Sequence, residues 1–264
     1  MKYLLLLLLS LSCYSQDRLR ALSIFQEDKE PPLTIYEEVI DDYKHFYSKD
    51  TIDNSLFWIG LGAVFANTNI DHGFSHWYAN NIRSEKLDKF SGDVKHFGEG
   101  SETLPILLGA TLIGYGLEHY GLDYNGYVYD WGSKSLRTML VGGPMLLASQ
   151  RIVGAGRHVD GDDSYWKPFN DANGVSGHAF MGAVPFITAA HMTDDPLLKA
   201  TFYAGSTLCA WSRVNDDHHY LSQAVLGWSL AYVSSLAVFE KQSPIQLAII
   251  CDGNRYGISF SLKF

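Results

Sequence analysis

The sequence predicts a mainly α protein, a helical bundle of about six core helices with a C-terminal β-hairpin. Three observations carry this expectation. Apolar runs of roughly 13 to 18 residues recur along the chain, several opened by a capping residue. These runs are shorter than the ~20 residues a membrane span needs, and mean hydropathy is −0.05, so a compact bundle fits better than a polytopic membrane protein. At the C-terminus the period changes. A short apolar run at 245–250 and the turn signal Asp252-Gly253-Asn254 precede Tyr256, Ile258, Phe260, Leu262 and Phe264, which alternate with smaller or polar residues. One hairpin cannot close a barrel, so it reads as a ribbon packed on the bundle.

The length of 264 residues suits one large domain, and no linker divides it. A hydrophobic content of 47% allows a sizeable core. The net charge of −9 argues against a nucleic-acid partner. It also means that any site for an anion has to be locally basic.

Taken in order, residues 1–15 read as a signal peptide: Lys2 is the basic start, 4–9 the apolar run and 10–15 the small-residue end. The expected location is therefore outside the cytoplasm, in the periplasm or cell envelope. A lipoprotein with Cys13 as its modified N-terminus competes with this, but Ser10 stands where Leu is expected. After cleavage Cys209 and Cys251 remain. Cys209 lies in an apolar helical run and reads as a buried thiol, and no Cys/His cluster suggests a metal. Residues 16–53 form an N-terminal extension with one short helix at 35–47. Residues 54–240 form the helical domain. Its helices are expected at 54–67, 103–119, 133–149, 177–192, 196–211 and 219–239, with Asp194 or Asp195 capping the run that begins at Pro196. The polar stretch 71–92 reads as surface and 98–101 as a turn. Residues 241–264 are the hairpin.

Three polar islands stand at the ends of apolar runs, where helix termini can converge on one pocket. The first, RIVGAGR, spans 151–157. The second, GVSGH, spans 174–178. The third begins at Ser212 and has the spacing SRxxxxxH through Arg213 to His219. An Asp216 or Asp217 cap would put His219 in the first turn of the last helix, where backbone donors and the positive dipole end suit a phosphoryl group. A neutral imidazole there can attack phosphorus. Gln223, at i+4, can accept the other ring N–H and fix the tautomer. Ser176 can cap the helix from 177, leaving the Gly177 and His178 N–H groups facing outward, and His178 can act as general acid. Arg157 and Arg213 supply planar cations of the kind that match phosphoryl oxygens.

These islands resemble the signature of the type 2 phosphatidic acid phosphatase (PAP2) superfamily, which also holds bacterial acid phosphatases and vanadium haloperoxidases. That signature reads KxxxxxxRP, PSGH and SRxxxxxHxxxD. Here Arg157, Ser176, Gly177, His178, Ser212, Arg213 and His219 match, while Gln150, Val175 and Gln223 replace Lys, Pro and Asp. The resemblance implies His219 as nucleophile, His178 as general acid, and Arg157, Arg213, Ser176 and Gly177 as phosphate ligands. Arg151 is the neighbouring charge available in place of the absent Lys, and Asp216 or Asp217 the charge available in place of the carboxylate at 223. The implied activity is metal-independent hydrolysis of a phosphorylated lipid or a small phosphomonoester through phosphohistidine. No cofactor is expected. Vanadate would inhibit, or serve as cofactor if the chain is a vanadate-dependent haloperoxidase; a catalytically impaired envelope protein is the third reading. The aromatics Tyr165, Trp166, Phe169, Phe180, Trp211 and Tyr220 could line an acyl-chain groove, although aromatics at such spacing more often belong to a core, and contact with a membrane surface is compatible with the composition.

Overall fold

A computed structural model of the chain describes residues 34–122, 125–239, 245–252 and 255–262. The expected signal peptide, Cys13, the extension up to residue 33 and the Gly253-Asn254 turn centre lie outside the described residues.

The first helix, α1 (Ile35–Phe46), opens with a reciprocal cap. The Thr34 hydroxyl accepts the Glu37 N–H, and the Glu37 carboxylate accepts the Thr34 N–H at 2.8 Å. Helix α2 (Lys49–Ala66) is capped by Ser48 and runs through the expected boundary at 53/54. The stretch expected as plain surface forms two helices instead, α3 (Ile70–Asn81) and α4 (Glu85–Val94). Their inner faces bury Asp71, Tyr78, Ser91 and Val94. After a short 3-10 turn at Lys95–Gly98 come α5 (Gly100–His119) and α6 (Tyr127–Val153). Helix α7 (Gly177–His191) is capped by Ser176, and α8 (Pro196–Ser206) by Asp195, whose carboxylate accepts from Leu197 and Leu198 N–H at 2.9 Å. Then come α9 (Leu208–Asn215) and α10 (Leu221–Val238).

The fold class therefore needs correction. Ten α-helices lie among the described residues rather than about six, and the helical body 34–239 contains no strand. A β-hairpin is thus not part of the fold that these helices build. The backbone segments Ile245–Asp252 and Arg255–Leu262 pair antiparallel beyond that body, Ile245 opposite Leu262. The run expected to be one helix from 196 to 211 breaks at Thr207, which closes α8 and opens α9.

The core lies where α7 and α10 cross α6. Phe180, Val184 and Ile187 of α7 pack with Leu226 and Ala231 of α10 and with Met139 and Leu146 of α6. Gly227 lets α10 come close to α7, because a side chain there would run into the Ser176 carbonyl. That approach brings the start of α7 beside the start of α10. Helix α10 is long and apolar enough to cross a membrane, but most of it is buried in the bundle.

Candidate active site

The first island turns out of α6 at Gly154, whose φ of 64° is the left-handed conformation that ends helices. Its N–H returns to the Gln150 carbonyl at 3.1 Å. Ala155 and Gly156 are buried, and Arg157 follows in extended conformation. The buried Arg157 Nε has no hydrogen-bond partner among the described residues. Gln150 donates its amide to the Val175 carbonyl at 3.1 Å, so the residue that replaces Lys ties the first island to the second.

In the second island the Ser176 hydroxyl accepts the Ala179 N–H at 3.3 Å. The Gly177 and His178 N–H groups are first-turn donors with no acceptor inside the helix. Ser176 is fully buried, so its hydroxyl acts as a helix cap, and its own N–H donates to the Gln223 carbonyl at 3.0 Å.

The third island differs from expectation. Ser212 and Arg213 lie within α9, and the Ser212 hydroxyl is turned back to the Cys209 carbonyl at 2.8 Å. Asp216 and Asp217 end α9 rather than capping α10: Asp216 is the C-cap, and Asp217 has a φ of 57°. The chain then reverses, and the His218 and His219 N–H groups both return to the Arg213 carbonyl, at 3.0 and 3.1 Å. His219 therefore sits in the connection, since α10 begins only at Leu221. The expected placement of His219 in the first helical turn is corrected accordingly.

Gln223 joins the three islands. Its Oε1 accepts from His219 Nδ1 at 2.8 Å and from the Tyr220 N–H at 3.1 Å. Its Nε2 donates to the Gly156 carbonyl at 2.6 Å. With its own carbonyl bound by Ser176, this buried residue touches all three. The Nδ1–H tautomer that Gln223 selects leaves Nε2 of His219 as the free lone pair. No carboxylate stands in this arrangement. Asp216 accepts from Ser91 at 2.6 Å and faces Arg213 at 3.8 Å; Asp217 pairs with Arg83 and His158. Charge compensation of His219 by either aspartate is thus not what the structure holds.

Burial pushes the His219 pKa down to about 3, helped by Arg157, Arg213 and His178; the Gln223 bond works the other way. His178 is also lowered, first by burial and then by Arg213, with Glu99 opposing. His218 is lowered by burial and by Arg213. Burial likewise lowers Arg213, with Asp216 opposing. The charges of Arg157 and Arg213 thus act on both His178 and His219, while Glu99 and Asp216 are the acidic groups that act in the opposite sense at His178 and Arg213. Arg151 is exposed on the last turn of α6, and the charges acting most strongly on His219 do not include it. Of the expected acyl-groove aromatics, Phe180 and Tyr220 are buried in the core, while Trp211 lines a separate apolar cavity.

Sequence reasoning missed the support from α3 and α4. Ser91 donates to the Ser212 carbonyl at 3.1 Å, Tyr78 to Asn215 at 3.0 Å, and Asp88 accepts from Asn215 at 2.9 Å. The signal was the helix start at Ser84 followed by Asp88 and Ser91 at helical spacing. One trio of metal-ligand type lies together among the described residues, His96, Glu99 and Glu102; His96 and Glu102 are exposed and already bonded to each other at 2.9 Å.

No curated protein and no solved structure matches the chain. Residues 130–245 match the model of the PAP2 superfamily, a span that holds all three islands and the helices that bring them together, and this segment of the chain belongs to that superfamily.

Proposed function

We propose that the protein is a phosphatase acting through a phosphohistidine on His219. One observation carries this reading: a buried, neutral imidazole, its Nδ1 proton held by Gln223, stands among the guanidinium groups of Arg157 and Arg213 and the ring of His178. Two guanidinium groups and the first-turn N–H groups of α7 form a cradle for phosphoryl oxygens. His219 Nε2 attacks phosphorus in line, and the bond from phosphorus to the leaving oxygen breaks. His178 gives its proton to that oxygen. Water then attacks the phosphorus, His178 takes the water's proton, the P–N bond breaks with its electron pair returning to Nε2, and phosphate leaves with His219 neutral again. Arg157 and Arg213 neutralise charge on the equatorial oxygens. No step draws on a metal.

The substrates proposed are a phosphorylated lipid first and a small phosphomonoester second. Support for an apolar group comes from a cavity of about 310 Å³ lined by Trp58, Phe74, Tyr78, Trp211, Val214 and Trp228. Its α9 residues alternate with Cys209 and Arg213 along the helix, so cavity and cradle share one element. The reading includes export to the periplasm or cell envelope, on the strength of residues 1–15. Contact with a lipid surface is supported by Leu104, Leu108, Leu112 and Tyr115, exposed at three- and four-residue spacing on α5. The test is phosphate release from phosphatidic acid vesicles and from p-nitrophenyl phosphate by the wild type and by His219→Ala. Release by the wild type alone is expected; equal release by both overturns the reading.

A further inference from the structure

Helix α10 carries Gln223 and follows directly on His219, yet it starts without a cap of its own. Its N-cap residue is Tyr220, which has no short side-chain oxygen to receive the exposed first-turn N–H groups. Gln223 folds back to the Tyr220 N–H. The Ser222 N–H finds its acceptor on another element, 151 residues away: Asp71, on α3, accepts it at 2.9 Å and accepts the Ser222 hydroxyl at 2.6 Å. Asp71 is completely buried. A carboxylate at a helix N-terminus also meets the positive end of the dipole. Burial raises its pKa, and the two Ser222 bonds oppose that rise.

The same pair of helices grips the rest of the third island. Ser91 holds the Ser212 carbonyl and Asp216, Tyr78 and Asp88 hold Asn215, and Arg83 holds Asp217. All of these contacts come from residues 71–91, outside the segment 130–245 that matches the family. The helices before that segment thus supply the outer half of its site.

We propose that Asp71 is a positioning residue for His219: by capping α10 from α3 it fixes the start of the helix from which Gln223 orients the imidazole. Asp71 itself touches neither substrate nor the reacting ring. The proposal rests on His219 being the nucleophile.

The test uses the full chain with Asp71→Ala, Asp71→Asn and Ser222→Ala, and three readouts. The first is solvent exchange of the His219 Nδ1 proton, followed by NMR. The second is kcat with p-nitrophenyl phosphate, and the third is the Kd for orthovanadate. For Asp71→Ala the expected result is exchange faster, and kcat lower, by at least about tenfold, as the loss of a buried charged acceptor implies. The vanadate Kd should rise along with the fall in kcat, because vanadate mimics the transition state in which His219 Nε2 is a ligand. Asp71→Asn keeps an acceptor for the Ser222 N–H and should restore exchange and kcat. Ser222→Ala removes one of the two bonds and should give an intermediate exchange rate. Unchanged exchange in folded Asp71→Ala overturns the proposal, as does Asp71→Asn behaving like Asp71→Ala. If Asp71→Ala does not fold, unchanged exchange in Ser222→Ala overturns it. A wild type that releases no phosphate would instead defeat the phosphatase reading, and the exchange readout would still decide on Asp71.

Discussion

His219 is bonded to an amide at Nδ1 and feels the charge of two guanidinium groups, and this combination governs what substitutions should do. His219→Ala should lose phosphatase activity down to background while circular dichroism stays unchanged, because the residue lies in a connection rather than in a helix. His218→Ala should stay within a few-fold of wild type; if it is the inactive variant, the nucleophile has been misassigned. Gln223→Asp should slow the enzyme by roughly 5- to 150-fold, the equivalent of about 1–3 kcal/mol for a buried hydrogen bond left unmade. The shorter side chain retreats from His219 and has no donor for the Gly156 carbonyl, which receives Nε2 at 2.6 Å. A gain in kcat would show that the link to Gly156 is dispensable and that a charge on His219 matters more. The pairing of His219 with Gln223 could be read from i+4 spacing alone. The links to Gly156 and Ser176 could not, because they join segments that only the fold brings together.

At the scale of elements, the starts of α7 and α10 set the pH dependence. The proton donor in the reading above is His178, which burial and Arg213 push below its usual 6.5. Turnover needs His178 protonated, so kcat/KM should fall as pH rises through that lowered value. His219 must be neutral, and with a pKa of about 3 it limits activity only near pH 3. An acid optimum between these limits follows. Arg213 is the charge that lowers His178 most, so Arg213→Ala should shift the basic limb to higher pH. The same substitution should reduce kcat more than KM, by on the order of a hundredfold. A basic limb that stays in place would remove His178 from the donor role. The elements themselves were only partly legible. Ser176 and Asp195 announced α7 and α8 because short polar side chains cap their own helices. The start of α10 was misplaced by two residues because its cap comes from Asp71 on α3. Helices α3 and α4 passed for surface because their buried residues include Asp71, Tyr78 and Ser91, which are polar.

At the scale of the whole molecule, the described helices leave many large apolar side chains exposed. Helix α5 buries Thr103, Leu107 and Gly114 but exposes Leu104, Leu108, Leu112 and Tyr115, and Leu140 and Leu147 on the adjoining α6 are exposed as well. A soluble monomer rarely leaves a continuous patch of this kind to water. The charges near α5 lie towards its ends, with Glu102 in the first turn and Glu118 in the last, so an apolar stretch is framed by acidic groups. Such a helix can rest its apolar side in a lipid interface. With acidic ends and a net charge of −9, it gains nothing from negatively charged headgroups. The protein should therefore float with zwitterionic vesicles, and less with vesicles rich in anionic lipid, most clearly at low salt where screening is weakest. Leu108→Asp combined with Leu112→Asp should release it from the zwitterionic vesicles. That variant should leave p-nitrophenyl phosphate turnover within about twofold of wild type, since surface substitutions away from the site change little, and should lower turnover of vesicle-borne phosphatidic acid. Equal flotation of variant and wild type would mean that α5 is not the contact, and tighter binding to anionic vesicles would mean that local basic groups, not this apolar face, hold the protein to lipid.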